Sequence, residues 1–190
     1  MEEQLELGKS YEKVVTLKKK HGKCGSYTHN DGSLFIGDFD ENGVKSGMGH
    51  LEVPNGSTYD GQFQKGLPNG VGIMRFPDSS RYEGEFMQGW FHGHGVFQTI
   101  GGMKFEGEFR GGRIWGNGLL TFNDGKVGSE GYFQDSRFSR DGVAKDDIKK
   151  SRKIANFARR ICNETSYDVG NGWKTEEQEQ NEAIEVGADI

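Results

Sequence analysis

Aliphatic residues are scarce in this chain: hydrophobic residues fill only 32% of its 190 positions. A thick Leu/Ile/Val core is therefore excluded. No window approaches the roughly 18 consecutive apolar residues of a membrane span. Cysteine is also sparse. Cys24 and Cys162 lie far apart, match no metal-ligand spacing and are too few for a secreted disulfide scaffold, so thiols in a reducing compartment are expected. The N-terminus, Met1-Glu2-Glu3-Gln4, lacks the basic and apolar regions of a signal peptide and the second-position glycine of a myristoylation signal. A soluble, cytoplasmic protein is expected.

What the chain has instead is glycine and aromatic residues. Glycine takes 31 positions, about twice the usual share of roughly 7%. Aromatics supply the apolar weight, with 13 Phe, 6 Tyr and 3 Trp. Rings can lie close over backbone where glycine removes the side chain, which suggests a thin structure. The two residue types are periodic. Phe35-Ile36-Gly37-Asp38-Phe39 is followed by Tyr59-Asp60-Gly61-Gln62-Phe63, Tyr82-Glu83-Gly84-Glu85-Phe86 and Phe105-Glu106-Gly107-Glu108-Phe109, at spacings of 24, 23 and 23. Later glycines keep register (Gly66, Gly70, Gly72; Gly89, Gly93, Gly95; Gly112, Gly116, Gly118). Partial copies flank these four, at Gly25 to Gly32 and at Glu130-Gly131-Tyr132-Phe133. Atypical terminal units are expected in a stacked array, whose ends must be capped.

Each unit predicts a β-hairpin. Tyr82, Gly84 and Phe86 alternate with Arg81, Glu83, Glu85 and Met87, the period of two that marks a half-exposed strand. Gln88 to Gly93 is expected to turn the chain and Gly95 to Gln98 to return it. Pro77-Asp78-Ser79-Ser80 and Asn123-Asp124-Gly125 join one hairpin to the next. The fold class is thus mainly β, an elongated single-layer antiparallel sheet with aromatics along one face and acidic residues on the other.

These residues resemble MORN repeats, whose pattern is Tyr-x-Gly-Glu-Phe/Trp-x-x-Gly-x-x-x-Gly-x-Gly followed by Asp-Gly. The resemblance covers about residues 25–135. A compact array followed by a short basic helix is most similar to the retinophilin type within that family. The resemblance implies a non-enzymatic adaptor, active without cofactor, that binds the tail of a class III myosin in actin-rich protrusions or photoreceptor microvilli. Family arrays have also been proposed to bind phospholipid. A peripheral tether on acidic membrane lipids is therefore the second expectation, although acidic side chains outnumber basic ones 12 to 8 over residues 35–133. No nucleic-acid partner is expected, and the chain is expected to be a monomer.

The flanks divide the chain into an N-terminal extension (1–21), the array (22–140), a basic amphipathic helix (141–165) and an acidic, disordered tail (166–190). Asp146 and Asp147 in the first turn and Arg159 and Arg160 in the last favour a helix over 144–162. Its expected apolar stripe is Ile154, Phe157, Ala158 and Ile161, with Ile148 off the stripe and Lys145, Lys149, Arg152 and Lys153 opposite. Such a helix would cover the exposed edge of the last hairpin.

Residues that resemble chemistry are better explained by the repeat. Asp38 to Gly43 opens like an EF-hand loop, but the twelfth position is Gly49. Gly70-x-Gly72 and its copies lack the rest of a nucleotide loop. His92-x-His94 puts two imidazoles on one strand face without an evident third ligand. Glu83 and Glu85 recur as Glu106 and Glu108, whereas a catalytic pair would occur once.

No catalytic, cofactor or metal residues are assigned. For partner binding the candidates are the rings Tyr59, Phe63, Tyr82, Phe86, Phe105 and Phe109 and the acids Glu83, Glu85, Glu106 and Glu108. Trp90, Phe91 and Trp115 complete the set; they occupy expected turn positions where the repeat demands no large aromatic, and Trp is enriched at interface hot spots.

Overall fold

The computed structural model describes residues 15–18 and 23–165. The expected acidic tail and most of the N-terminal extension lie outside the described residues. Twelve strands form one antiparallel sheet in simple sequence order. They are β1 (Val15–Lys18), β2 (Lys23–Thr28), β3 (Leu34–Phe39), β4 (Lys45–Glu52), β5 (Thr58–Gln64), β6 (Leu67–Arg75), β7 (Arg81–Met87), β8 (Trp90–Gln98), β9 (Lys104–Arg110), β10 (Arg113–Thr121), β11 (Val127–Gln134) and β12 (Arg137–Asp141). One helix, α1 (Lys145–Glu164), follows. The extension contributes to the array: β1 pairs with β2, Val15 opposite Ser26 and Lys18 opposite Lys23.

Within a unit, the hairpin turn is tighter than expected. Only Gln88 and Gly89 separate β7 from β8, at φ 51° and 85°, and Lys65-Gly66 and Gly111-Gly112 repeat this pair of left-handed residues. Two consecutive left-handed residues make the turn whose twist matches paired strands. Trp90, Phe91 and Trp115 therefore belong to strands β8 and β10, not to turns. Between units the turns are closed by short polar side chains, such as Asp78 Oδ1 accepting from the Ser80 amide at 2.9 Å.

One face carries the ring ladder. Phe35, Tyr59, Phe63, Tyr82, Phe86, Phe105, Phe109 and Phe133 form one buried cluster. Glycines from neighbouring strands sit beneath the rings. Gly84 faces Gly95 across β7 and β8, and a Cβ on Gly84 would meet Tyr82 Cζ at 2.5 Å and Gly95 Cα at 2.7 Å. The ring thus packs on bare backbone. Successive rings meet edge to face, with Tyr59 to Phe86 at 4.8 Å and Tyr82 to Phe109 at 4.8 Å, the favoured geometry for aromatic pairs.

The helix differs from expectation in both register and place. Its buried residues are Ile148, Ser151, Ala155, Ala158 and Cys162, so Ile148 lies on the buried face while Ile154, Phe157 and Ile161 flank it half-buried. Small side chains line the seam because they let the helix backbone approach the sheet. It also runs two residues past the expected end, so Arg159 and Arg160 precede the last turn. Nor does it cover the edge strand β12. It lies across the face opposite the rings, from Ser151 Oγ donating to Gly107 O of β9 at 3.0 Å to Cys162 Sγ meeting Asp60 O of β5 at 3.2 Å. Twenty residues give about 30 Å, enough to cross the roughly 24 Å that β5 to β10 occupy at strand spacing. A single cap could not use that length.

Candidate functional site

The acidic residues of the repeat have two distinct duties. The side chain just before the closing Phe of each unit, an acid in three copies and Gln62 in the remaining one, repairs a defect in the sheet. A register shift follows Gly84 in the β7–β8 pair, and there Glu85 Oε2 accepts the His94 amide at 2.6 Å. Glu108 Oε2 accepts the Asn117 amide at 2.7 Å, Gln62 Oε1 that of Val71 at 2.8 Å, and Asp38 Oδ2 that of Met48 at 3.1 Å. Asp38, the start of the EF-hand-like stretch, is thus a bulge brace. A buried amide left without an acceptor is costly, so these side chains stand in for the missing ladder bond.

The first acid of each unit faces the helix. Glu83 and Glu106 are buried, 5% and 3% exposed, where a freely accessible acidic face was expected. Arg152 holds Glu106 through two hydrogen bonds, at 2.8 and 3.0 Å, and Lys104 lies 3.2 Å from it. Arg159 and Arg81 each reach Glu83 at 3.1 Å. Burial opposes the Glu106 charge, but Arg152 and Lys104 outweigh it and hold the carboxyl below its ordinary range. Beyond the Glu83 pair, toward the C-terminal end of α1, Ile73 of β6 packs against Ala158 and Cys162, with Val71 and Ile161 beside them. Burial pushes the Cys162 thiol up to about 12. At the same end, His50 Nδ1 lies 2.6 Å from Asp60 Oδ1 and Arg75 also pairs with Asp60. Burial works against a charged His50, yet Asp60 and then Glu52 raise its pKa.

The candidate rings divide by exposure. Tyr59, Phe63, Tyr82, Phe86, Phe105 and Phe109 are at most 5% exposed and constitute the core. Phe91 is half-buried and stacks on Tyr82 at 4.0 Å. Trp90 is 62% exposed and leans over Gly112 of the next hairpin. Trp115 lies beside Arg110, whose guanidinium is 5.9 Å from its ring. Trp115, Tyr132, His92 and Glu108 border a shallow cavity of about 470 Å³.

Apart from Phe91, sequence reasoning assigned no partner-binding role to the residues that surround the ladder. Phe39, Phe91 and Ile114 flank it along one margin, and Leu51, Met74, Phe97 and Leu120 along the other, all half-buried. The signal was present: Leu51, Met74, Phe97 and Leu120 occupy equivalent positions opposite the leading residues Phe35, Tyr59, Tyr82 and Phe105. Together they make an apolar strip on the face that α1 leaves uncovered. No described helix is long and apolar enough to cross a membrane.

Comparison with known proteins agrees with this architecture. The MORN repeat model matches residues 59–81, 82–103 and 105–127, and the copy beginning at Phe35 has the same ring-over-glycine contact, Phe35 above Gly37 and Gly49. The MORN repeat-containing protein 4 homolog of Drosophila melanogaster is 62% identical over 143 residues, which span 74% of this chain and 72% of the relative. On the repeat match, the shared length and the ring-over-glycine sheet, the chain belongs to the MORN-repeat family.

Proposed function

We propose that the chain is a non-enzymatic adaptor that holds an extended peptide segment of a partner along the uncovered ring face. The observation that supports this most is the division of the sheet. One face is taken by α1, while the other keeps two half-buried apolar margins along the full ladder. An extended segment suits a long, shallow, repeating surface. The partner we favour is the tail of a class III myosin, in actin-rich protrusions or photoreceptor microvilli; resemblance to retinophilin-type proteins supports that choice.

The test is capture of the myosin tail by the full chain, with Met74→Glu and Phe97→Glu as variants. Loss of capture with an unchanged circular dichroism spectrum supports the assignment, and undiminished capture by both variants overturns it.

A second reading rests on Lys145, Lys149 and Lys153, which are exposed on the outer side of α1 at the spacing of one helix face. They could draw the chain to acidic lipid. Sedimentation with acidic vesicles that is abolished by Lys149→Glu with Lys153→Glu, without myosin capture, would favour that reading.

A further inference from the structure

Among the described residues, one cluster gathers metal-ligating groups from three separate elements: His94 on β8, Glu108 on β9 and Asp147 in the first turn of α1. One ligand atom of each lies within 4.8 Å of the others. We propose that these three side chains bind a zinc ion, which clips the N-terminal end of α1 to the sheet.

Zinc accepts imidazole nitrogen and carboxylate oxygen at about 2.0–2.2 Å with tetrahedral geometry, which sets ligand atoms roughly 3.4 Å apart. The cluster brackets that value: His94 Nε2 is 3.0 Å from Asp147 Oδ1. Two ligands come from the ladder itself, since His94 and Glu108 are direct cross-strand partners. Glu108 is also oriented, because its Oε2 accepts the Asn117 amide and leaves Oε1 to coordinate. The other nitrogen of His94, Nδ1, lies 3.8 Å from Glu85 Oε2, beyond hydrogen-bond distance, so Glu85 adds only its negative charge beside the imidazole. Glu108 also borders the cavity lined by His92 and Trp115, so one of the three ligands lies at an opening to solvent. Lys150 Nζ, 3.8 Å from Asp147, is the competing cation, and its side chain is 61% exposed and able to withdraw.

The site is also singular within the repeat. The position of His94 is held by Met48, Val71 and Asn117 in the other units, as their shared amide contacts show. His50, by contrast, meets Asp60 and Glu52 at opposite ring nitrogens, so those carboxylates cannot share an ion with it.

The test is calorimetric titration of the chelator-stripped full chain with zinc chloride near neutral pH, alongside thermal melting. One equivalent should bind and raise the melting temperature, and EDTA should reverse the shift. His94→Ala and Asp147→Asn should each weaken binding roughly tenfold or more, while Glu52→Gln should leave it unchanged. Because a variant can disturb docking, the unsubstituted chain supplies a second readout: zinc should shift the histidine NMR signals of His94 and spare those of His50. Absence of binding, affinity unaltered by both substitutions, or signals moving at His50 and not at His94 would each overturn the proposal.

Discussion

On one face of the sheet the same contact is made again in every unit, and on the other each contact to the helix is made once. A ring above a glycine pair recurs from Phe35 over Gly37 and Gly49 to Phe105 over Gly107 and Gly118. Opposite it, Ile73 meets Cys162, Glu83 meets Arg159 and Glu106 meets Arg152, each a pair unique to its strand. The first face is a one-dimensional array in which neighbours stabilise neighbours. The second is a docking surface fitted to a single helix. Damage should accordingly spread along the ladder but remain local at the helix.

The largest effect is expected at the middle of the ladder. Tyr82→Ala removes a fully buried ring that touches Phe86, Phe91 and Phe109, and should cost about 4 kcal/mol in chemical denaturation. Gly95→Ala places a methyl 2.5 Å from Tyr82 Cε2 and should cost about 2–3 kcal/mol by overpacking. If that variant were as stable as the natural chain, the ring-over-glycine account of this face would fail.

Disturbing the helix face should do less. Arg152→Ala leaves Glu106 buried beside Lys104 alone. Arg152 is half exposed and solvent screens part of the pair, so about 1 kcal/mol is expected. Glu106 adds a pH signature. Its carboxyl lies below its usual 4.5 in the folded chain, so as pH falls the unfolded chain takes up the proton first. The stability it contributes is present above about 4.5 and is lost as pH falls through the lower folded value. Glu106→Gln should flatten that acid limb, and an unchanged limb would remove Glu106 from the account.

Cys162 offers a test confined to the helix. Its thiol is buried and weakly acidic, so iodoacetamide should modify it slowly until α1 lifts away. Arg152→Ala should quicken that labelling without a matching change in the ladder's unfolding midpoint. The smallest effect belongs to Trp90→Ala. Its side chain is largely exposed, and stability should change by about 0.5 kcal/mol or less, so any loss of partner capture would report contact instead of folding.

How much could be read beforehand differs between the faces in the same way. The strands over residues 34–122 follow from the alternation of rings and glycines, because a sheet puts every second residue on one side. The inward set Tyr59, Tyr82 and Phe105 could be picked out by that spacing alone. The extent of the array was less legible, since the Val15–Lys18 strand carries no ring or glycine signature. Helix orientation was not legible either. Ile154, Phe157, Ala158 and Ile161 suggested a broad apolar stripe, yet of these only Ala158 lies in the seam, beside Ser151 and Ala155, whose value lies in their small size. Glu83 and Glu85 look alike in the sequence and share a strand face, but the bulge between Gly84 and Glu85 separates their roles.

Sequence alone determined the repeat, its period and the side on which the rings stack, because those depend on neighbours about 12 or 23 residues away and are written again in each copy. Tertiary structure decided where α1 lies, which acids it buries, and that His94, Glu108 and Asp147 meet. Those contacts join residues some 40 to 100 positions apart that occur once. No period announces them, and only the packing of a helix of small residues against the sheet brings them together.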